Sequence, residues 1–162
     1  VEPLALRRAR RGTSTNTGSR RMIVVDVNVL VAAHLSQHPH HAVAHPYLTR
    51  AVTHDTVLVP DVVWSGFLRI ATNVRIFERP ASISDAVGFV RSIAAAPGYR
   101  HIGGLVDGIE PFLALSLASS ASANLIPDAY IAAIAIAHDA TVATFDRDFR
   151  RFDGLRIDEL QP

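Results

Sequence analysis

Met22-Ile23-Val24-Val25-Asp26-Val27-Asn28-Val29-Leu30 is the stretch that decides the fold. Its first four residues form an apolar, β-branched run with no polar alternation, the mark of a strand buried on both faces of a parallel sheet. The run breaks at a carboxylate, and in open parallel sheets functional groups collect beyond the carboxyl ends of the strands. Further along, Thr56 to Val59 reads as a second short strand and Thr141 to Phe145 as a clear one. Tyr99 to Ile102 is a weak strand, and Leu155 to Ile157 a terminal one.

Helical patterns lie between these strands. Pro39 to Val52 is helical in composition, with Pro46 expected to kink or split it. Pro60 suits the first turn of a helix running through Trp64, Phe67, Leu68 and Ala71, where Trp64 and Phe67 are expected in the core. Ser82 to Asp85 starts another helix, which Pro97-Gly98 stops. Asp107 to Leu117 and the strongly apolar Pro127 to His138 complete the set. Strands separated by helices imply an α/β fold with a central, mostly parallel sheet flanked by helices, in one domain over residues 22–162.

Composition narrows the chemistry. The chain has 162 residues, 49% of them apolar, and no cysteine. Disulfides, thiolate zinc sites and a cysteine nucleophile are excluded, and a reducing cytoplasm fits. No apolar run approaches the roughly 18 residues that span a bilayer, so no membrane association is expected. All 16 basic side chains are arginine. Six of these fall in the first 21 residues beside a single acid, which leaves the body with net charge −4. An acidic body is not the surface of a passive nucleic-acid binder, and a bound cation is one reason to tolerate it. Residues 1–21 read as a disordered basic extension. Three readings stand for it: an upstream addition to a working protein that starts at Met22, a basic tail touching RNA, or an organellar transit peptide.

Three aspartates stand where chemistry would be. Asp26 ends the first strand, Asp146 follows the 141–145 strand, and Asp128 opens the helix leading into that strand. Asp148 is close enough to Asp146 to be a fourth oxygen donor. If the first and the 141–145 strands are neighbours, these carboxylates converge, and their repulsion calls for a hard divalent cation. Such an ion, Mg²⁺ or Mn²⁺, activates water for attack on a phosphodiester and offsets the charge built on phosphoryl oxygens. Asn28 and Thr144 are suited to orient a carboxylate or a water. Each acid also has a plain structural reading: a turn residue at 26, a first-turn acid at 128, and at 146 and 148 a cap pair bound to Arg147, Arg150 or Arg151. Six of the eight histidines lie between His34 and His54 without zinc spacing, and read as an exposed polar face.

These segments resemble those of PIN-domain proteins. Ile23 to Leu30 is similar to their opening strand, Asp128-Ala-Tyr-Ile-Ala-Ala-Ile-Ala to an Asp-led Ala-rich helix, and Thr141 to Phe149 to a strand ending in Thr-x-Asp. With Gly66-Phe-Leu-Arg-Ile70, the match runs from Met22 to the C-terminus and is most like the VapC-type toxin ribonucleases of bacterial toxin–antitoxin pairs. The resemblance implies a Mg²⁺-dependent endoribonuclease cutting tRNA, rRNA or mRNA, held inactive by a cognate antitoxin and commonly a homodimer. By motif position, Asp26, Asp128 and Asp146 would be its metal-site acids, with Asn28 and Thr144 in support. Many family members carry glutamate where Gly66 stands here. Asp61, about 140° away around a helix, does not replace it, which puts a second metal in doubt.

Two other readings compete. Haloacid-dehalogenase-type phosphatases and receiver domains also place Asp after the first strand. Both rely on a lysine, which is absent here, and the phosphatase Asp-x-Asp pattern meets Asn28. A degenerate PIN domain acting as a non-catalytic protein- or RNA-binding module is the remaining alternative.

Overall fold

The computed structural model describes residues 20–161. Most of the expected basic extension, residues 1–19, lies outside them. The elements run in chain order as β1 (Met22–Val25), α1 (Val27–His34), α2 (His41–His54), β2 (Thr56–Pro60), α3 (Asp61–Ala71), α4 (Ile83–Ala94), β3 (Tyr99–Ile102), α5 (Glu110–Ala118), α6 (Leu125–Ala137), β4 (Thr141–Thr144), a 3₁₀ turn (Arg147–Arg151) and β5 (Arg156–Glu159).

All four strand pairings are parallel, in the order β3-β2-β1-β4-β5. This is not the 2-1-3-4-5 order of flavodoxin-like sheets, to which receiver domains belong. β1 is central and its Ile23, Val24 and Val25 are fully buried, as a strand covered on both faces requires. The chain builds outward from β1 to β3 on one side, then returns to add β4 and β5 on the other. β1 and β4 are therefore neighbours, with Val25 opposite Ala143. The sheet's switch point, where a crevice opens, lies between them.

The helices follow from sequence features. Asp26 caps α1, its Oδ1 accepting from the Val27 amide at 2.6 Å. Ser82 caps α4 by accepting from the Asp85 amide at 3.1 Å. α6 begins two residues before Pro127, which sits in its first turn where no amide is needed. Ala129, Ala132 and Ala135 are fully buried, so this helix lies close against the rest of the core.

Pro46 does not split α2, which runs unbroken through it. The carbonyl it leaves without a partner belongs to exposed Ala42, where water serves it. Ala44, Leu48, Ala51 and Val52 bury the other face. Pro60 ends β2 and stands just before α3, instead of inside its first turn. Phe67 is fully buried as expected, whereas Trp64 is only partly covered. Among the described residues no helix is long and apolar enough to cross a membrane.

Candidate functional site

The crevice at the β1–β4 switch point is built around one hydroxyl. Thr144, the last residue of β4, is fully buried and donates to Asp26 Oδ2 at 2.7 Å. The Thr144 hydroxyl oxygen itself accepts from Asn28 Nδ2 at 3.1 Å and from the Asp146 amide at 2.9 Å. Asn28 Oδ1 in turn accepts from the Phe145 amide at 3.2 Å. Every hydrogen-bonding site of that hydroxyl is thus used. Asp26, held at both oxygens by the Val27 amide and Thr144, is 5% exposed. Asn28 is thereby linked to Asp26 through the Thr144 hydroxyl.

Asp26, Asp128 and Asp146 line a single cleft of about 240 Å³, which also meets Asn28, Val31, His38, Ile70 and Phe77. The three acids are brought together from β1, α6 and the end of β4. Asp148 stands at the rim, exposed, its amide donating to Asp146 Oδ1 at 2.8 Å. It is still near enough to act on Asp128.

The carboxylates repel one another. Burial pushes Asp128 up to about 7, with Asp26, Asp146 and Asp148 adding to the rise. Burial pushes Asp26 up to about 6 with help from Asp146, although the hydrogen bonds from Thr144 and Val27 pull the other way. Among the described residues no arginine relieves this. Arg147 and Arg150 turn instead to Glu159, at 3.4 and 2.7 Å. Among the described residues no ion pair reaches Asp26, Asp128, Asp146 or Asp148. The capping half of the plain reading of Asp146 and Asp148 holds; the arginine half does not. No three His, Asp or Glu side chains among the described residues form a closed metal-ligating group. The donor set nevertheless fits a hard cation: oxygen ligands only, crowded and without counter-charge.

The wall where glutamate is expected is apolar. A Cβ built on Gly66 would lie 2.9 Å from Val27 Cγ2, so α3 approaches α1 too closely there for a side chain. Asp61 is exposed and lies 3.9 Å from His101, outside the cleft.

The histidines correct the sequence reading. His34, His38, His40 and His41 are half-buried, and only His45 and His54 of the six are exposed. The connection between α1 and α2 folds back tightly, with His38 N–H donating to the Leu35 carbonyl at 2.9 Å and Leu35 buried. His34 packs against Phe67 and Phe89, at 5.6 and 4.7 Å between ring centroids. His38 reaches the acid cleft. Its sequence context, a Pro-rich His cluster, carries no periodicity that points there. Phe77 and Ile70 were equally silent.

Comparison with known proteins agrees with this geometry. The family profile described as PIN domain matches residues 23–155. Two Mycobacterium tuberculosis proteins are similar along most of their length. Ribonuclease VapC31 is 40% identical over 136 residues, and Ribonuclease VapC25 is 41% identical over 143. Each alignment covers 83% of this chain and 96% of the relative. Among solved structures, M. tuberculosis VapC20, described as a sarcin-ricin loop cleaving toxin, superposes with TM-score 0.62 at 17% identity. It covers 83% of this chain and 98% of that one. VapBC-5 from M. tuberculosis, a member of the VapBC family of toxin-antitoxin systems, superposes with TM-score 0.51 at 22% identity, covering 87% and 98%.

Proposed function

From the premise that this chain belongs to the PIN-domain family, and within it to the VapC ribonucleases, we propose that it is a Mg²⁺-dependent endoribonuclease. In this reading it is the toxin of a toxin–antitoxin pair and is restrained by a cognate antitoxin. The observation that supports this most is that, among the described residues, no ion pair places a counter-charge on the cleft acids. A structural acid cluster that close to Arg147, Arg150 and Arg151 would have recruited one of them. Here two of the three are committed to Glu159.

Asp26, Asp128 and Asp146 would hold Mg²⁺, or Mn²⁺, with Asp148 available at the rim. A divalent cation there supplies an acidified water nucleophile and a counter-charge for the phosphoryl oxygens. The chain's own part is orientation. The Val27 amide and the Thr144 hydroxyl fix the Asp26 carboxylate plane. Asn28 locks the Thr144 hydroxyl and the Phe145 amide together, which sets where the chain turns into Asp146. Preorganised ligands of this kind need no rearrangement at the moment of reaction. Gly66 supplies no carboxylate at the position where many family members carry glutamate, which favours a single metal. RNA is the substrate we infer; the acidic, lysine-free surface gives no support to a purely passive RNA binder.

Purified protein incubated with RNA and Mg²⁺ should cut it, and Asp26→Asn and Asp128→Asn should each lose at least a hundredfold of the rate, on the order of a single lost transition-state interaction. Equal cleavage by wild type and both variants would remove the assignment.

A further inference from the structure

We propose that His38, His40 and Phe145 form a shelf that receives an unpaired nucleobase beside the phosphodiester being cut. The inference rests on the ribonuclease reading and deepens it by naming how RNA is held at the cleft.

A second cavity, about 360 Å³, opens next to the acid cleft and shares Asn28, His38 and Asp146 with it. Its other walls are the rings of His40 and Phe145. These two rings are stacked on each other, with centroids 4.6 Å apart and planes 20° from parallel, so their facing sides are taken and the base would lie on the outer side of the pair. The His38 ring stands 5.5 Å from His40, tilted by 54°. A nucleoside next to a phosphate at the acids would enter this space. Flat π faces are what single-stranded bases bind, because every base has a face to offer.

The shelf is fixed by the frame that fixes the acids. Phe145 follows Thr144 and precedes Asp146, and its amide is held by Asn28 Oδ1. It is half-buried, whereas Phe149 four residues on is fully buried in the core. His38 Nδ1 accepts from the His40 amide at 3.1 Å, so a neutral His38 carries its proton on Nε2. Burial, with His40 and His41 nearby, holds His38 below its usual range, which suits a group reading base edges better than one clamping phosphate. His40 Nδ1 is buried with no hydrogen-bond partner. A leucine would fill the position without that cost; what histidine adds is a ring face.

Charge points the same way. Among the described residues no arginine lines either cavity, and the chain has no lysine. The described residues around the cut thus offer no cationic side chain for phosphate contact, the usual source of RNA affinity. Stacking has to supply grip there.

The test uses the full chain carrying Asp128→Asn, which should stop cutting while keeping the fold. Its affinity is measured in EDTA, since this variant is not expected to hold Mg²⁺, for fluorescein-labelled octamers of adenylate, cytidylate and uridylate, and for the same ribose-phosphate octamer without bases. At least one base-bearing octamer should bind about tenfold more tightly than the abasic one. His40→Ala should bring that preference to within twofold, and His40→Phe should keep it, with circular dichroism melting showing both variants folded. Phe145→Leu, which retains the apolar packing, should behave like His40→Ala. A His40→Ala protein that keeps the full preference overturns the shelf, as does a background protein that binds abasic and base-bearing octamers alike. If wild type still cuts RNA in those cases, the ribonuclease reading survives. If wild type neither cuts nor binds RNA, both fall.

Discussion

Replacing Asp128 with asparagine should stabilise the metal-free protein at pH 8 and abolish its response to Mg²⁺. Asp128 is half-buried, without a cationic partner, and raised from 3.8 to about 7, first by burial and then by Asp26, Asp146 and Asp148. In a sealed site that rise would correspond to about 4 kcal/mol. Water reaches much of this side chain and screens it, which leaves about 1–2 kcal/mol. Asparagine has nearly the same shape and carries no charge. Below pH 4 the carboxyl is protonated in both folded and unfolded chains and costs nothing. As pH rises toward 7 the unfolded chain releases its proton first, so the folded state loses stability, and above 7 the loss is complete.

The variant's advantage should therefore be absent near pH 4 and full at pH 8, where it amounts to about 3–8 °C in Tm. Melting curves in EDTA at pH 5, 6, 7 and 8 measure it. Adding Mg²⁺ should raise the wild-type Tm by mass action and leave the variant's nearly unchanged. The opposing effect is the helix dipole, since Asp128 lies in the first turn of α6, and is worth about 0.3–1 kcal/mol in favour of the acid. A variant that melts below wild type at pH 8 in EDTA would show that the dipole wins, and the picture of crowded, uncompensated carboxylates would be wrong.

Two further perturbations probe the frame around the acids. Thr144→Val keeps the shape but strips partners from Asp26 Oδ2, Asn28 and the Asp146 amide. It should cost about 1–3 kcal/mol in urea unfolding and about 10- to 100-fold in Mg²⁺ affinity by calorimetry, and an unchanged unfolding midpoint would count against the network. Gly66→Ala should bring none of the roughly 1 kcal/mol that alanine normally gives a helix, because its Cβ would meet Val27 Cγ2 at 2.9 Å and a β-branched side chain has little room to rotate away. In a Val27→Ala background the same change should stabilise by about that amount, and additive effects in the double-mutant cycle would show the two positions uncoupled.

Much of the fold was legible because its signals are local. The β1 run has no alternation, so it had to be covered on both faces, and the strand–helix rhythm then required parallel pairing. The adjacency of β1 and β4 was a condition in the sequence reading, not a deduction, since strand order is set by crossovers that leave no mark in composition. The split expected at Pro46 does not occur, and Pro60 falls one residue before its helix instead of within its first turn. A proline inside a helix is tolerable when the carbonyl it orphans faces water, and burial at Ala42 cannot be read from residue type. The histidines were misjudged for a related cause. Their position depends on the tight return after buried Leu35, a tertiary feature that no spacing rule describes. His38 enters the cleft by that return alone.

The plain structural readings of the acids and the functional one proved to be compatible. Asp26 does cap α1, Asp128 is a first-turn acid of α6, and Asp146 does cap the 3₁₀ turn, its side chain accepting from the Asp148 amide. In a parallel sheet flanked by helices, the helices run antiparallel to the strands. Their N-termini therefore gather at the same edge as the strand C-termini. α1 starts where β1 ends, and α6, which leads into β4, begins at the end where β4 finishes. Residues that suit a helix N-terminus are acids, so the fold places acids at one edge for local reasons. What separates this edge from an ordinary set of caps is what lies next to it: a buried Thr144 hydroxyl aimed at one carboxylate, and arginines that bind Glu159 and leave the others alone. Local capping preferences thus suffice to assemble the carboxylates. That no described residue pairs with them is the property that capping does not account for, and it is the one a divalent ion would exploit.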